Sequence, residues 1–411
     1  MAAPVSGAAV GSRRRVAILT GGGDRHYSFG LAQSLSRLGA QIDFVGSDEL
    51  ESAEIRALPG LRFLNLKGDQ NPNAPFVAKV RRILAYYAKL LAYAATSKAT
   101  VFHILWNSRA EVFDRTILTL FYKALGKRVV LTAHNVNRGK RDGNDSVVNR
   151  ATLRIQYHLV DHIFVHTPLM SRELESDFGV SPEKVTVIPF GINNMVPETG
   201  LTRDGARAKL GISANERVIL FFGNIAPYKG LDYLIEALIL LNERNLRCQL
   251  LIAGRLKARE DYLASIRRRI SDSGLAGQVT ERIEHIPDEE TEIYFKSADA
   301  LCLPYTHIFQ SGVLFLGYAF GIPAIAADVG DFRSDIQEGV TGHLCAPRNP
   351  LSLANTLAKF FAGPIYRNLH EHSAAIRDTA RKAHSWETVG AMTSQAYRNL
   401  QELHNERIKN Q

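Results

Sequence analysis

Residues 217–240 read RVILFFGNIAPYKGLDYLIEALIL, and this stretch decides the fold class. An apolar, β-rich run ends at Gly223, and after a proline-containing loop Lys229 and Gly230 open a helix with apolar residues at helical spacing. A helix N terminus presents free N–H groups and a partial positive charge, so a lysine beside it suits a diphosphate. The shape alone also fits an ordinary strand–loop–helix unit that binds nothing.

Composition predicts a large globular protein with two domains. The chain has 411 residues, of which 45% are hydrophobic and 22% are charged. A chain of this length is too long for one ordinary core. The net charge of +9 favours anionic partners, although a basic balance also serves solubility. Cys248, Cys302 and Cys345 are widely spaced and offer neither a disulfide framework nor a zinc-binding pair, which suits a reducing cytoplasm.

Strand patterns alternate with helical patterns in two successive series. The first series is 15–20, 41–45, 100–105, 128–133, 161–165 and 184–189, and the second is 218–222, 249–253, 279–285, 300–303 and 323–326. This alternation predicts two parallel-sheet α/β domains with a crevice between them. We expect a disordered tail over 1–14, a first domain over 15–195, a second domain over 204–385, and a C-terminal helix over 386–411 that returns to the first domain.

Membrane contact is the open question for one helix. The N terminus lacks the pattern of a secretory signal, and the longest apolar window, 312–327, is too short and too interrupted to span a bilayer. The helix predicted over 76–93 is amphipathic and basic, which is typical of a helix on an anionic membrane surface. The same pattern also fits a helix that packs on the sheet with a solvated charged face.

Several residues in the first half are placed for binding. The turn Gly21-Gly22-Gly23 follows the first strand, where glycines permit close approach of a ligand to the backbone, but its spacing is not GxGxxG. His134 and His166 each follow a strand, where an imidazole contacts either a sugar hydroxyl or simply the core. The basic, glycine-containing loop around Arg138 is either a lid that meets phosphates or a solvated loop.

A second candidate anion site lies in the second half. Residues 304–312, PYTHIFQSG, lead from a strand into a helix, and Ser311 is its expected N-cap. No GxxxxGK[ST], HExxH, GxSxG or DxD motif occurs, so the pattern predicts no metal site. Basic charge without interleaved aromatics at a recognisable motif argues against nucleic-acid binding.

Together these segments resemble a known family. The sequences GNIAPYKGLDYLIEAL (223–238), IPDEETEIYFKSADALCLPY (286–305), QSGVLFLGYAFGIPAIAADVGDF (310–332), TAHN (132–135) and VTVIPFGI (185–192) are similar to the retaining, nucleotide-sugar-dependent glycosyltransferases of the GT-B fold, often called family 4. The resemblance implies two Rossmann-like domains, a donor nucleotide held mainly by the second, an acceptor held by the first, and no cofactor or essential metal beyond the sugar nucleotide.

The resemblance assigns roles residue by residue. Lys229 matches the lysine that neutralises the departing diphosphate, and His134 matches the active-site histidine near the donor sugar. The Gly21–Gly23 turn and Arg138 fall near the phosphates and the acceptor. The remaining expected donor contacts are Gly223, Asn224, Arg255, Tyr305, Gln310, Ser311, Gly312 and Val313.

The chain departs from the family at the charged residues that would hold the donor. Asn224 stands where an arginine is expected, with Arg255 as a candidate substitute, and Ile308 and Leu316 stand where the family has paired glutamates. The Gln310-Ser311-Gly312 sequence instead resembles a recurring subgroup. Without carboxylates for double displacement, the implied mechanism is same-face substitution, in which the leaving phosphate helps to accept the proton of the acceptor hydroxyl.

The resulting hypothesis is a metal-independent hexosyltransferase that acts on a surface glycan or a lipid-linked acceptor with retention. It would work in the cytoplasm, at the inner face of the membrane where helix 76–93 contacts anionic lipid. A catalytically silent GT-B-like partner subunit that binds a sugar nucleotide or glycan is the alternative, supported by the lost clamps. A nucleotide-sugar epimerase would need acidic and histidine groups clustered on the donor sugar, which the sequence does not show.

Overall fold

The computed structural model describes residues 15–71, 73–193 and 196–409, except for the side chains of 141–142 and 403–409. The predicted N-terminal tail, 1–14, lies outside these residues. Two compact units divide the chain. Of the described residues, the first unit takes those within 15–139, 144–191 and 386–409, and the second takes those within 140–143 and 192–385.

The strands and helices alternate along the described residues. The strands are β1 (Arg15–Leu19), β2 (Gln41–Gly46), β3 (Leu61–Asn65), β4 (Val101–Ile104), β5 (Arg128–Thr132), β6 (His162–Val165), β7 (Val185–Val187), β8 (Val218–Phe222), β9 (Gln249–Ala253), β10 (Val279–Arg282), β11 (Ala300–Leu303), β12 (Ala324–Ala327) and β13 (Gly342–Cys345). The helices are α1 (Arg25–Arg37), α2 (Ala53–Arg56), α3 (Phe76–Thr96), α4 (Glu111–Phe113), α5 (Thr119–Ala124), α6 (Arg138–Asp142), α7 (Val147–Leu159), α8 (Pro168–Phe178), α9 (Arg203–Lys209), α10 (Leu231–Glu243), α11 (Glu260–Asp272), α12 (Asp288–Ser297), α13 (Gly312–Ala319), α14 (Phe332–Asp335), α15 (Pro350–Ala362), α16 (Pro364–Arg367), α17 (Leu369–Ala383) and α18 (Trp386–Lys409).

Each unit is built on one parallel sheet. In the described residues, the first unit has the strand order β3-β2-β1-β4-β5-β6-β7, and the second has the order β10-β9-β8-β11-β12-β13. Both orders step outward from a central strand in two directions, which is the doubly wound, Rossmann-like arrangement. The prediction of two parallel-sheet α/β domains is therefore confirmed. Strands such as β1 and β8 are buried on both faces, which explains their nearly continuous apolar sequences.

The sequence prediction missed one strand in each sheet. β3 lies at the edge of the first sheet and pairs only with β2, and its residues are partly buried with Arg62 exposed. β13 forms an edge of the second sheet, with the short sequence GHLC. Edge strands are covered on fewer sides, so they do not need the apolar run by which the inner strands are recognised.

The C-terminal helix α18 packs in the first unit. Ser34 Oγ of α1 donates a hydrogen bond to the Trp386 carbonyl over 2.6 Å. A Cβ atom on Gly30 or on Gly191 would lie 2.1 Å or 2.3 Å from the Trp386 indole, so only glycine leaves room for this ring. Farther along the helix, the Tyr397 hydroxyl lies 2.6 Å from His103 Nδ1 of β4. These contacts attach α18 to the sheet and to α1.

Candidate active site

The loops at the carboxyl edge of the second sheet form a closely packed backbone platform. Gly223 N donates to the Ala253 carbonyl and Ile225 N donates to the Arg255 carbonyl, so the loops after β8 and β9 run side by side. Gly254 adopts φ 148°, and a Cβ there would lie 1.8 Å from the Gly223 carbonyl oxygen. Glycine is required because no side chain fits between the two loops.

Lys229 ends a short 3-10 turn, Pro227–Lys229, and Gly230 then starts α10 with φ 70°. A Cβ at Gly230 would lie 2.0 Å from the Pro304 carbonyl oxygen, which holds the start of α10 against the loop after β11. The Lys229 side chain is buried, its Nζ donates to the Tyr305 hydroxyl over 2.5 Å, and Nζ lies 3.9 Å from the centre of the Tyr305 ring. The ring face therefore stabilises the ammonium group.

The segment after β11 brings the predicted donor residues to this lysine. The Tyr305 hydroxyl lies 3.4 Å from Ser311 Oγ, and burial raises the pKa of the Tyr305 phenol, so it stays protonated at neutral pH. Val313 packs against Gly223, where a Cβ would lie 3.2 Å from Val313 Cγ2. Lys229, Tyr305 and Ser311 thus form one connected polar group at the carboxyl edge of the sheet.

Ser311 occupies the N-cap position of α13, but its side chain makes no capping hydrogen bond. The expectation of a side-chain cap is therefore wrong, because Ser311 Oγ lies beside Tyr305 instead. No side chain of the described residues caps α10 at Gly230 either. Both helix starts, including the exposed Gly312, keep first-turn N–H groups that are not taken by a side-chain cap, and such groups attract anions.

Asn224 and Arg255, the predicted clamp position and its substitute, are both exposed. Their backbones lie in the paired loops after β8 and β9. The proposed replacement of the missing arginine by Arg255 therefore stays a prediction.

Beside Gln310, which is one of the expected donor contacts, lies Asp335, a buried carboxyl that the sequence did not indicate. Gln310 Oε1 and Asp335 Oδ2 are both buried without a hydrogen-bond partner among the described residues. Burial, with a smaller contribution from Asp331, raises the pKa of the Asp335 carboxyl to about 7. Asp335 lies in the segment after β12, whose Asp331 N donates to the Phe309 carbonyl. An aspartate in a polar-looking loop carries no sequence signal of such burial.

In the first unit, His134 packs between aromatic rings just beyond β5. Its imidazole stacks on the Trp106 indole with ring centres 4.1 Å apart and an interplanar angle of 4°, and the Tyr27 ring meets it edge-on. Burial, followed by the nearby His166, holds the pKa of His134 well below the usual histidine value. His134 is therefore neutral at physiological pH.

Hydrogen bonds assign the tautomer of His134. His166 Nδ1 lies 3.3 Å from the Ile188 carbonyl, which only accepts, so His166 Nδ1 carries the proton. Burial lowers the pKa of His166 to about 4, so its Nε2 is an acceptor and receives the Nδ1–H of His134 over 3.1 Å. The remaining nitrogen, His134 Nε2, is a bare acceptor, and it is buried without a hydrogen-bond partner in the described structure.

The glycine turn after β1 packs on the same tryptophan. A Cβ at Gly23 would lie 1.9 Å from the Trp106 ring, and a Cβ at Gly21 would lie 2.0 Å from the Trp106 carbonyl oxygen. Asp24 caps α1 by accepting from the backbone N–H groups of His26 and Tyr27. Because an acidic cap occupies these groups, this helix start is not an open phosphate site, unlike α10 and α13.

Gly22 is the part of the turn that faces a cation, because a Cβ there would lie 3.1 Å from Lys67 Nζ. Arg138 begins α6 and is exposed, so its role as a phosphate or acceptor contact stays a prediction. No group of three or more histidine, cysteine, aspartate or glutamate side chains in the described part of the chain is arranged to hold a metal ion. Independence from metal also stays a prediction.

Two family models match the chain. The model "Glycosyltransferase Family 4" matches residues 21–194, and the model "Glycosyl transferases group 1" matches residues 202–383. Together the two matched regions span most of the chain, with the family 4 region first and the group 1 region second. These regions contain His134 and Lys229, respectively.

The chain is also similar to a curated relative and to solved structures. A D-inositol 3-phosphate glycosyltransferase of Thermobispora bispora is 31% identical over 249 residues, which are 58% of this chain and 56% of the relative, so the match spans little more than half of that protein. Sucrose-phosphate synthase from Thermosynechococcus elongatus superposes with a TM-score of 0.73 at 18% identity, covering 95% of this chain and 100% of that one. Anabaena Alr3699/HepE in complex with UDP and glucose gives a TM-score of 0.71 at 15% identity, covering 94% and 99%. At these identities the two structures show the fold alone.

Proposed function

We propose that this protein is a retaining hexosyltransferase that takes its sugar from a nucleoside diphosphate donor and transfers it to an acceptor hydroxyl. The observation that carries the proposal is the position of Lys229, buried on Tyr305 between the starts of α10 and α13. Two helix starts without side-chain caps and one lysine supply the positive field that a departing diphosphate needs. Structures of Alr3699/HepE with UDP and UDP-glucose support a nucleotide-sugar donor of this type.

In this mechanism Lys229 neutralises the charge that develops on the leaving diphosphate. The first-turn N–H groups of α10 and α13 donate to the phosphate oxygens. His134 Nε2, a neutral acceptor, receives a hydrogen bond from a hydroxyl of the donor sugar. With Ile308 and Leu316 in place of a carboxylate pair, the leaving phosphate itself helps to accept the acceptor proton on the same face, and this route predicts retention. The proposal includes membership of the subgroup that has Gln310-Ser311-Gly312 in place of the usual glutamate motif.

The experiment is a release assay over a panel of donors. Purified protein is incubated with UDP-, GDP- and ADP-linked hexoses, and release of the nucleoside diphosphate and the anomeric configuration of any product are measured. Slow release with one donor and a product of unchanged configuration support the proposal. An inverted product would overturn retention, and an epimerised donor would indicate an isomerase.

Asn224, in place of the arginine that the resemblance implies, favours a second candidate, a silent partner subunit that binds a sugar nucleotide without turning it over. Such a protein lacks one phosphate clamp and keeps only Lys229 at the diphosphate. The same panel separates the two functions, because the partner subunit would bind a donor in calorimetry and release no nucleoside diphosphate in the presence of a glycan or lipid-linked acceptor.

We also propose that α3 contacts anionic lipid on the inner face of the cytoplasmic membrane. The acceptor at this surface would be lipid-linked or part of a surface glycan. The structure describes no helix long and apolar enough to cross a bilayer. On α3, however, Tyr86, Leu90 and Ala94 are buried, whereas other apolar side chains of the same helix are exposed. These are Phe76 at 79%, Val77 at 76%, Val80 at 37% and Leu84 at 65%.

Large apolar side chains at this exposure favour an apolar partner, and the basic residues of the same helix favour an anionic one. Flotation with vesicles containing anionic lipid should recover the protein at low salt and less of it at high salt. Phe76→Ser with Leu84→Ser should abolish flotation, whereas Leu351→Ser, at a 51% exposed apolar residue of α15, should not. Absence of the wild-type protein from the vesicle fraction at low salt would contradict membrane contact.

A further inference from the structure

A cationic pocket opens in the first unit beside the Gly21–Gly22 turn. Its empty volume, including the open mouth, is about 390 Å³. The lining residues are Lys67, Gln70, Lys79, Arg82, Ile83, Tyr86, Ser108 and Arg109. They come from the segment after β3, from α3 and from the segment after β4. Because parallel strands end at the same edge of a sheet, the pocket lies at the edge where α/β proteins bind ligands.

The positive charge in this pocket is only partly neutralised. Arg82 donates to the Asp69 carboxylate over 3.0 Å and to the Asn71 carbonyl over 3.2 Å. Lys79 and Arg109 form no ion pair within the part of the chain that the structure describes. The nearby Asp114 carboxylate accepts from the Tyr87 hydroxyl and from the backbone N–H of Ser108, and its charge offsets part of the charge of Lys67. The lining therefore carries more cations than the neighbouring carboxylates neutralise.

Lys67 connects the pocket to the glycine turn. Its Nζ donates to the Gly21 carbonyl over 2.6 Å and lies 5.0 Å from the centre of the Tyr86 ring. Burial, opposed by Asp114 and reinforced by Arg109, lowers the pKa of Lys67 to about 8. An anion that enters the pocket would stabilise the charged form of Lys67 beside Arg109, because it compensates for the hydration that the buried amine has lost.

We propose that this pocket binds a phosphate group of the sugar acceptor, with Lys67, Lys79 and Arg109 as its donors. This inference rests on the proposed function, since it names the class of acceptor that the transferase uses. A phosphate ester suits the pocket because its oxygens accept from several donors at once, and the arginine adds a planar, bidentate donor. The phosphate belongs either to a lipid headgroup or to a soluble sugar phosphate, and both present the same chemistry.

The first test is a calorimetric titration with inorganic phosphate. The wild type should show saturable binding, and Lys79→Gln combined with Arg109→Gln should weaken it at least about tenfold. Lys89→Gln, an exposed lysine of the same helix that does not line the pocket, is the matched control and should bind as the wild type does. Melting temperatures of the three proteins check that each variant is folded.

Lys229→Met separates this inference from the donor site. Phosphate binding that persists in Lys229→Met and is lost in the pocket variant supports the acceptor site, whatever the donor assay shows. Phosphate binding that is lost in Lys229→Met and kept in the pocket variant would place the anion at the donor lysine and overturn the inference. Absence of saturable binding to the wild type would overturn it as well.

A competition experiment identifies the source of the phosphate. Displacement of inorganic phosphate by vesicles of phosphatidic acid in phosphatidylcholine, but not by glucose 6-phosphate, assigns a lipid headgroup. Displacement by glucose 6-phosphate alone assigns a soluble acceptor. Equal displacement by glucose or by pure phosphatidylcholine vesicles, neither of which carries a free phosphate monoester, would refute recognition of the phosphate.

Discussion

Removal of the Lys229 charge should abolish most of the turnover without unfolding the protein. The suitable substitution is Lys229→Met, because methionine keeps an unbranched apolar stem and a polarisable sulfur against the Tyr305 ring. The Tyr305 hydroxyl loses the Lys229 donor but keeps Ser311 Oγ at 3.4 Å. We therefore expect a change in the free energy of unfolding of only about 1 kcal/mol.

The catalytic effect should be much larger. A unit charge about 4 Å from a phosphate oxygen contributes about 4 kcal/mol at an effective dielectric constant of about 20. Part of that interaction also stabilises the bound donor, so about 3 kcal/mol should be specific to the transition state, as for other donors that face developing charge. Since 1.36 kcal/mol is a factor of ten, kcat/KM should fall by about 10² to 10³.

The assay is the initial rate of nucleoside diphosphate release over a range of donor concentrations. Lys209→Met, the same substitution at an exposed lysine of α9, is the matched control and should leave kcat/KM unchanged. The affinity for the nucleoside diphosphate should fall in Lys229→Met, while the affinity for the nucleoside should not, because the lysine meets only the phosphates. A kcat/KM within about threefold of the wild type would refute the role assigned to Lys229.

Two further predictions concern stability. Gly230→Ala should destabilise the protein by more than about 3 kcal/mol, because its Cβ would lie 2.0 Å from the Pro304 carbonyl, whereas Gly274→Ala, with the same φ of 70° and open space around it, should cost about 1 kcal/mol. Urea unfolding of both variants measures the difference, and equal costs would contradict the close approach. Burial lowers the pKa of His103 to about 3 and that of His166 to about 4, so the unfolded chain binds more protons below pH 6.5. Each of these histidines should therefore lower the stability by about 2 kcal/mol between pH 7 and pH 5. The Asp335 carboxyl, whose pKa burial raises to about 7, should restore only about 2 kcal/mol over the same range. Stability should still fall overall, and an unchanged urea midpoint between pH 7 and pH 5 would contradict the neutral burial of the histidines.

The sequence predicted all the inner strands of both sheets, whose burial requires continuous apolar runs, and also the partly buried edge strands β7 and β10. It did not predict β3, whose Arg62 is exposed at the sheet edge. The same omission hid Lys67, which follows β3 and is close to the glycine turn only because of the pairing of β3 with β2. A pocket assembled from segments far apart in the chain leaves no local pattern in any one of them.

The candidate site was predictable to the extent that one loop or one helix start determines it. The lysine before Gly230 is of this kind, since glycine, turn and helix are adjacent in sequence. The stacking of Trp106 on His134 is not, because it depends on two neighbouring strands ending at the same level. The capping role of Ser311 was predicted from residue type alone and failed because a buried tyrosine hydroxyl lies beside it.

The substitutions at the family's glutamate positions are consistent with a neutral grip on the donor. Ile308 and Leu316 are each 8% exposed, and a carboxylate at such a buried position is costly unless a partner compensates it. Aliphatic residues remove that cost and leave Gln310 Oε1 as a buried, uncharged acceptor without a partner in the described residues. An unpaired buried acceptor costs about 1–3 kcal/mol, and a hydroxyl donor from a ligand would recover it. On the proposed function, Gln310 therefore offers a hydroxyl of the donor sugar a neutral, buried acceptor where the resemblance implies a carboxylate.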